Sequence, residues 1–283
     1  AMIARAPVSE LWLAGVVPGL LMAAFFIAYI ALRGALQPHL APALSAEERA
    51  QITWAERIST LRAGALPLFI FAAMMIPFIY GWTSLVESSV IGVATTVIAA
   101  VLKGRFNRDV FESATRNTLG ISCMFMWVIL AALAFGAVFD GLGAVKAIDT
   151  LFTEQLGFGP WTILILMQLS FLVMGMFLDD TAMLVIVAPL YVPLVARLDL
   201  GLPPEDVLIW YGVLYTITCQ IAYLTPPFGY NLFLMRAFAP PEITMGDIYK
   251  SVTPFVLVMI ATLALIMLVP DLALWLPNTL YPK

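Results

Sequence analysis

Long blocks of apolar residues divide this chain. Four come close to the roughly 20 residues that a helix needs to cross a bilayer: 11–32, 64–82, 118–139 and 255–276. Each predicts a full membrane span. Four others are shorter or interrupted: 88–102, 162–178, 181–195, and a long block over 207–238 that Pro226 and Pro227 cut. Ahead of the second full span, residues 45–62 predict a helix lying on the membrane surface. Ser45 with Glu48 three residues later forms a capping box, and Ile52, Ala55, Ile58 and Leu61 recur at helical spacing. A connector helix with one buried stripe accounts for this pattern.

Composition identifies the solvent. Of 283 residues, 62% are hydrophobic and 11% charged, and the mean hydropathy is +0.98. That is more apolar surface than a domain of this length buries in its own core, so the chain belongs in a bilayer. A net charge of −4 leaves no basic excess for nucleic-acid phosphates. Cys123 and Cys219 each sit in an apolar run and are expected to remain free thiols. Residues 1–10 show no cleavable signal.

Orientation follows from Lys and Arg, which short cytoplasmic loops hold in excess. Arg33, Arg49, Arg57 and Arg62 fall in one connection, and Lys103, Arg105, Arg108 and Arg116 in another. Both are expected in the cytoplasm, with the turn around Glu87 outside. The loops over 140–160 and after Val195 are poor in positive charge, which places them and both termini on the external face.

The block 162–195 consists of two short arms separated by Asp179 and Asp180. Two ordinary spans, or a re-entrant hairpin with the aspartates at its tip, both satisfy the parity of crossings. Gly175 at the end of the first arm, Pro189 and Pro193 as interruptions of the second, and Asp180 as an N-cap favour re-entry. Irregular backbone at depth survives only beside a polar cavity. Two uncompensated aspartates at mid-bilayer would cost on the order of 6 kcal/mol. A bound cation supplies compensation; water-wetted capping of the second arm is the alternative, equally open for Asp179.

The second irregularity runs from Ala222 to Asn231 and contains Thr225-Pro226-Pro227-Phe228-Gly229. Two prolines remove two backbone donors, and Pro227 drives Pro226 out of helical geometry, so the helix is expected to stop near Thr225 and restart after Gly229. The break frees carbonyls, which suit sodium, and exposes the positive start of a half-helix, which suits a carboxylate. Half-length segments of this kind mark binding sites in secondary transporters. A proline kink repaired by a neighbour explains one proline well and this run poorly.

Several stretches in order resemble the large membrane subunit of TRAP transporters, the tripartite ATP-independent periplasmic carriers of the elevator-type ion transporter superfamily. They are Leu13-Ala14-Gly15-Val16-Val17-Pro18-Gly19, the residues around Glu87, Gly175-Met176-Phe177-Leu178-Asp179, Pro189 to Pro193, and Thr225-Pro226-Pro227-Phe228-Gly229 with Asn231-Leu232-Phe233. The resemblance covers nearly the whole chain. It implies sodium-driven import of carboxylates or similar acids across the bacterial inner membrane, with sodium as coupling ion and no other cofactor. It also implies a periplasmic substrate-binding protein and a small membrane subunit as partners. The cation ligands it implies lie among Gly175, Asp179, Asp180, Thr181, Ala222, Thr225 and Phe228, and the substrate contacts among Pro226, Gly229 and Asn231. Ala222 stands where the family carries glycine. The family's subunit holds two inverted repeats, and the first, with its own hairpin and Pro-Pro-Ser break, is not found here. The chain is therefore expected to hold half a site, completed by a missing N-terminal half or by another chain.

The expected architecture is an all-α integral membrane protein, a multi-span helical bundle with one re-entrant hairpin and one broken transmembrane helix. Scaffold-like spans occupy 1–160, the hairpin and broken helix 161–238, and a C-terminal span 239–283. The competing reading is a truncated relative serving as a structural subunit of a larger membrane complex, with Gly15 and Gly19 as a packing face. An enzyme is not expected: the single His39 sits in a proline-flanked loop, and adjacent Asp179 and Asp180 cannot face each other as an acid/base pair.

Overall fold

The computed structural model describes residues 6–38, 54–143, 146–147, 150, 157–178, 180–226 and 229–281. Its helices are α1 (Val8–Ala14), α2 (Val16–Leu36), α3 (Trp54–Ile79), α4 (Leu85–Leu102), α5 (Arg108–Gly141), α6 (Pro160–Gly175), α7 (Asp180–Val195), α8 (Pro204–Tyr223), α9 (Tyr230–Phe238), α10 (Met245–Leu268) and α11 (Asp271–Leu280). Among the described residues there is no strand. Val8–Leu36, Leu85–Leu102, Arg108–Val138 and Met245–Leu268 are long and apolar enough to cross a membrane, and the fold is that of an all-α integral membrane protein. The chain forms two compact units, 28–122 and the remainder, 1–27 with 123–283.

The 28–122 unit is built on the antiparallel pair α3 and α4. Gly92 of α4 lies against Met74 of α3, whose sulfur would be 2.9 Å from any Cβ placed there. Their connection is specified locally. Gly81 takes φ +69°, a conformation that side chains strain, and the Trp82 amide donates to the Pro77 carbonyl at 2.9 Å. Ser84 and Glu87 form a capping box that opens α4. Tyr80 and Trp82 stack at this end and stand largely exposed, as amphipathic rings do at a membrane interface.

The surface helix expected over 45–62 is not a separate element. Its described part, from Trp54, continues unbroken into the apolar stretch Gly64–Ile79 as α3, and Ile58 and Leu61 are exposed rather than forming a buried stripe. Gly64 penalises a helix by about 1 kcal/mol relative to alanine, too little to end one. Ser45, Glu48 and Ile52 lie outside the described residues.

In the other unit α8 is the central helix, with Ile209, Trp210, Leu214 and Ile221 fully buried. The first hairpin arm, α6, runs parallel to it: Trp161 meets Trp210 near the start of both helices, and the Thr218 hydroxyl donates to the Gln168 carbonyl oxygen at 2.7 Å further along. On another flank α10 runs antiparallel. Leu11 of α1 presses on Gly212, where a Cβ would lie 2.6 Å from its methyl carbon. The Asn278 amide of α11 donates to the buried Asp206 carboxylate at 3.3 Å.

The stretch 64–82, expected as a full span, holds a shorter apolar helix, Gly64–Ile79, whereas the block 88–102, expected to be short, lies in Leu85–Leu102, which is long and apolar enough to cross. The helices also meet their prolines differently from expectation. The stretch 255–276 is two helices: α10 begins at Met245, opened by a Thr244–Asp247 capping box, and ends at Leu268. Pro270 has no amide for the Ile266 carbonyl; the Trp210 indole donates to that oxygen instead, at 3.0 Å, and the chain turns into α11. The stretch 11–32 is divided at Gly15, because Pro18 offers no amide to the Ala14 carbonyl four residues before it. Pro189 and Pro193, expected to interrupt the second arm, are carried inside a continuous α7. Gly136 of α5 gives the Pro189 ring room to sit: a Cβ at 136 would be 3.0 Å from the proline Cβ.

The Trp210 bond yields a prediction. Trp210→Phe keeps the ring and leaves the Ile266 carbonyl unsatisfied in an apolar interior, so the purified protein should lose about 1–3 kcal/mol, read as a lower thermal midpoint in detergent. An unchanged midpoint would refute the role given to the indole.

Candidate functional site at the hairpin tip and the helix break

The arms α6 and α7 are 16 residues each, about 24 Å at 1.5 Å per residue, against about 30 Å of hydrocarbon. They pack as an antiparallel hairpin. The Ser170 and Tyr191 hydroxyls bond at 2.8 Å, and Phe171 meets the Tyr191 ring edge-on at 5.1 Å. Residues 176–179 connect them. Asp180, expected as an N-cap, is the first residue of α7 and Thr181 the second; Asp179, ahead of them, lies outside the described residues, as does Phe228.

The broken helix is as the prolines dictate. Ordinary helical pairing would give the Ala222 carbonyl an amide from residue 226 and the Tyr223 carbonyl one from residue 227, and both are proline. The α8 ladder therefore closes early. The Thr225 amide turns back to the Ala222 carbonyl at 3.1 Å, and the Thr225 hydroxyl donates to the Ile221 carbonyl at 2.6 Å. The Gly229 amide then donates to the Thr225 carbonyl at 3.2 Å, and α9 starts at Tyr230 with no side-chain cap. Gly229 is enclosed: a Cβ there would be 2.6 Å from Leu232 and 3.2 Å from the Thr225 carbonyl.

Tip and break meet. Gly175, the last residue of α6, sits on Ala222 in the final turn of α8 so closely that a Cβ on Gly175 would fall far inside the radius of the Ala222 methyl. Met183 of α7 closes over the same spot, its methyl 3.2 Å from that position. The contact unites candidate residues drawn from two stretches nearly 50 positions apart. Leu224 packs on the cluster that Leu232 of α9 forms with Ile248 and Val252 in the first turns of α10.

The candidates do not share one environment. Ala222 and Gly229 are buried and Gly175 and Thr225 half-buried, whereas Pro226 and Asn231 are exposed. Among the described residues no three His, Cys, Asp or Glu side chains converge; the oxygens at the break are backbone carbonyls and a threonine hydroxyl. The Thr225 hydroxyl spends its proton on Ile221, which turns its lone pairs outward as acceptors. A groove of about 610 Å³ lies on another side of α8, between Gly15 and Gly19 and the residues Gly212, Thr216 and Gln220.

Sequence reasoning passed over Gln168 and Thr218. The signal was present: a lone amide within an otherwise apolar arm, two helical turns before Gly175.

The contact of tip and break sets a prediction. Gly175→Ala forces α6 from α8 and should destabilise the protein by about 1–3 kcal/mol, while adding Ala222→Gly should recover part of the loss. Thermal unfolding of the two variants checks this, and an undisturbed Gly175→Ala would show that the helices are not held so close.

The sequence model of the family described as "Tripartite ATP-independent periplasmic transporter, DctM component" matches residues 1–272. The C4-dicarboxylate TRAP transporter large permease protein DctM of Pseudomonas aeruginosa is 26% identical over 279 residues, covering 96% of this chain and 60% of that protein. The ectoine TRAP transporter large permease protein TeaC of Halomonas elongata is 28% identical, covering 95% of this chain and 60% of its own length. For the sialic acid TRAP transporter permease protein SiaT of Haemophilus influenzae the identity is 26%, with coverage of 99% and 43%. The chain thus spans about 60%, or less, of the length of these relatives. With a family match over nearly its whole length and, among the described residues, four helices long and apolar enough to cross a bilayer, the chain is a multi-pass protein of the bacterial inner membrane and belongs to the DctM family of TRAP transporter large permeases.

Proposed function

We propose that this chain forms the hairpin-bearing part of a sodium-coupled carrier that imports carboxylates or related organic acids. A periplasmic binding protein delivers the acid, and a small membrane subunit accompanies the permease. The relatives are named for C4-dicarboxylates, ectoine and sialic acid. The observation that carries the proposal is the meeting of the hairpin end with the break, Gly175 on Ala222.

The chemistry follows from what each side offers. Carbonyls at the end of α8 have lost their helical donors to Pro226 and Pro227, and the Thr225 hydroxyl presents lone pairs beside them. Hard oxygen donors without converging side-chain charge suit sodium, as they do in unwound transporter helices. Gly175, Asp179, Asp180, Thr181 and Phe228 complete the proposed set from the tip and the break. The uncapped start of α9, with Gly229, Pro226 and Asn231, is the proposed contact for the acid: its first amides carry partial positive charge. Re-entry of the hairpin is favoured by two arms shorter than the hydrocarbon is thick.

Movement of the hairpin with the broken helix against a scaffold, in the manner of an elevator, would carry this site across the membrane. The remainder of the site comes from the further sequence that the relatives possess, on the same or another polypeptide.

The test is sodium-dependent uptake by the assembled transporter in proteoliposomes. Thr225→Ala and Asp180→Ala should each raise the sodium concentration for half-maximal uptake by roughly tenfold, equivalent to about 1.4 kcal/mol, and Thr225→Ser should stay near the parent. Unchanged sodium dependence in both alanine variants would remove the cation from this site.

A further inference from the structure

The bond from Thr218 to Gln168 is an unusual one for an apolar interface. Both residues are at least nine-tenths buried, the bond is 2.7 Å long, and it links the first hairpin arm to the central helix. Only half of the amide is used. The Gln168 carbonyl oxygen accepts from Thr218, while its nitrogen is buried without a partner. A donor left unsatisfied costs about 1–3 kcal/mol, whereas replacing both members by apolar groups of the same shape is nearly neutral. Stability therefore gives no reason to hold a glutamine here. Its use must lie in what a directional bond does and apolar packing does not.

Position along the helices supplies that use. Thr218 is one turn before Ala222 on α8, and Gln168 is two turns before Gly175 on α6. The two helices run side by side in the same direction, so the hydrogen bond and the Gly175–Ala222 contact are successive points on one seam. Phe171, between Gln168 and Gly175 on α6, packs edge-on to Tyr215 of α8 at 4.9 Å and to Tyr191 of α7 at 5.1 Å. Rings and aliphatic chains tolerate sliding; α6 has apolar residues on every face, so turning it by one residue, about 100°, would still present an oily surface to α8. It would take Gln168 away from Thr218 and Gly175 away from Ala222.

We infer that Gln168 and Thr218 are positioning residues: their bond fixes the register of α6 on α8 and thereby holds the hairpin end on the helix break, where the proposed cation site lies. The inference rests on that cation reading only for its functional consequence, not for its structural one. A single buried polar group that specifies register without adding stability is a known device in helix packing.

The test uses the assembled transporter and four variants: Gln168→Leu, Thr218→Val, both together, and Thr218→Ser. Backbone hydrogen exchange by mass spectrometry reads the peptide over 219–232, whose Leu224 and Thr225 amides close the end of α8, with the peptide over 85–102 as control. The two single variants and the double variant should exchange roughly fivefold faster over the break, with the control unchanged. The double variant should do so at near-parental thermal stability, and Thr218→Ser should match the parent. Parental exchange over the break in the double variant would overturn the inference. Faster exchange in both peptides would also overturn it, because it would mean general loosening. Sodium-dependent uptake by the same variants separates the two proposals. A loosened break with a several-fold higher half-maximal sodium concentration supports both. A loosened break with sodium dependence unchanged supports the register role and places the cation elsewhere.

Discussion

Hydrocarbon offers no hydrogen bonds to a backbone, so each amide and carbonyl of a spanning segment must find its partner within the protein. The prolines of this chain test that constraint, and the structure answers it differently at each. Pro270 deprives the Ile266 carbonyl of its amide, and a tryptophan from another helix takes the vacant place. Pro189 and Pro193 stay inside a continuous helix, the former given room by a glycine on α5. At Pro226 and Pro227 the helix stops instead, and the carbonyls there are answered by tight turns of the chain on itself. Where single prolines are met by a tryptophan from another helix or carried inside a continuous helix, the double proline ends the helix beside the end of a hairpin. That contrast gives the break its functional weight.

The meeting of the break and the hairpin end is held by close packing rather than by charge. Gly175 on Ala222 brings two backbones together, and glycine at one of the two positions is what permits it. In a bilayer, where lipid is as apolar as leucine, such small-residue contacts are a main source of helix association. Alanine at 222 is tolerable because the opposing residue has no side chain. The same economy appears at Gly212 under Leu11 and at Gly92 under Met74. At the break it has a consequence beyond packing, since a shift in register there would separate the two halves of the proposed site.

Much of this was legible in the sequence because membrane helices obey length and hydropathy more strictly than soluble ones. The paired arms around Asp179 and Asp180 and the stop at Thr225 could be read from residue types alone. Failures came where a single residue outranked hydropathy. The apolar run through Leu268 continues to Leu276, so the average showed no boundary, while Pro270 ended the helix and Trp210, 60 positions away, made that end acceptable. Residues 54–62 are polar enough to suggest a surface helix, yet helical propensity carried them into α3 without a break. Gln168 was visible as one amide among apolar residues, but its partner Thr218 lies in a separate block and is known only from the fold. Contacts of that range are not recorded in local pattern.

The absence of Lys and Arg from the hairpin and the break bears on how the proposed carrier would couple its two cargoes. An organic acid approaching this site meets Asp179 and Asp180 in the sequence of the tip and no side-chain cation in either element. Within these two elements the attraction available to it is the start of α9, worth at most about 2 kcal/mol in a partly buried setting, and the proposed cation at the break. In the proposed carrier, the aspartates would oppose the acid while the break is empty, and bound sodium would offset that charge and leave the helix start unopposed. Binding of the two is then mutually favourable, and by linkage each raises the affinity of the other by the same factor. An arginine clamp would bind the acid with or without sodium and weaken that dependence. In the proposed carrier, the hairpin and the break by themselves would therefore bind the acid conditionally on the ion.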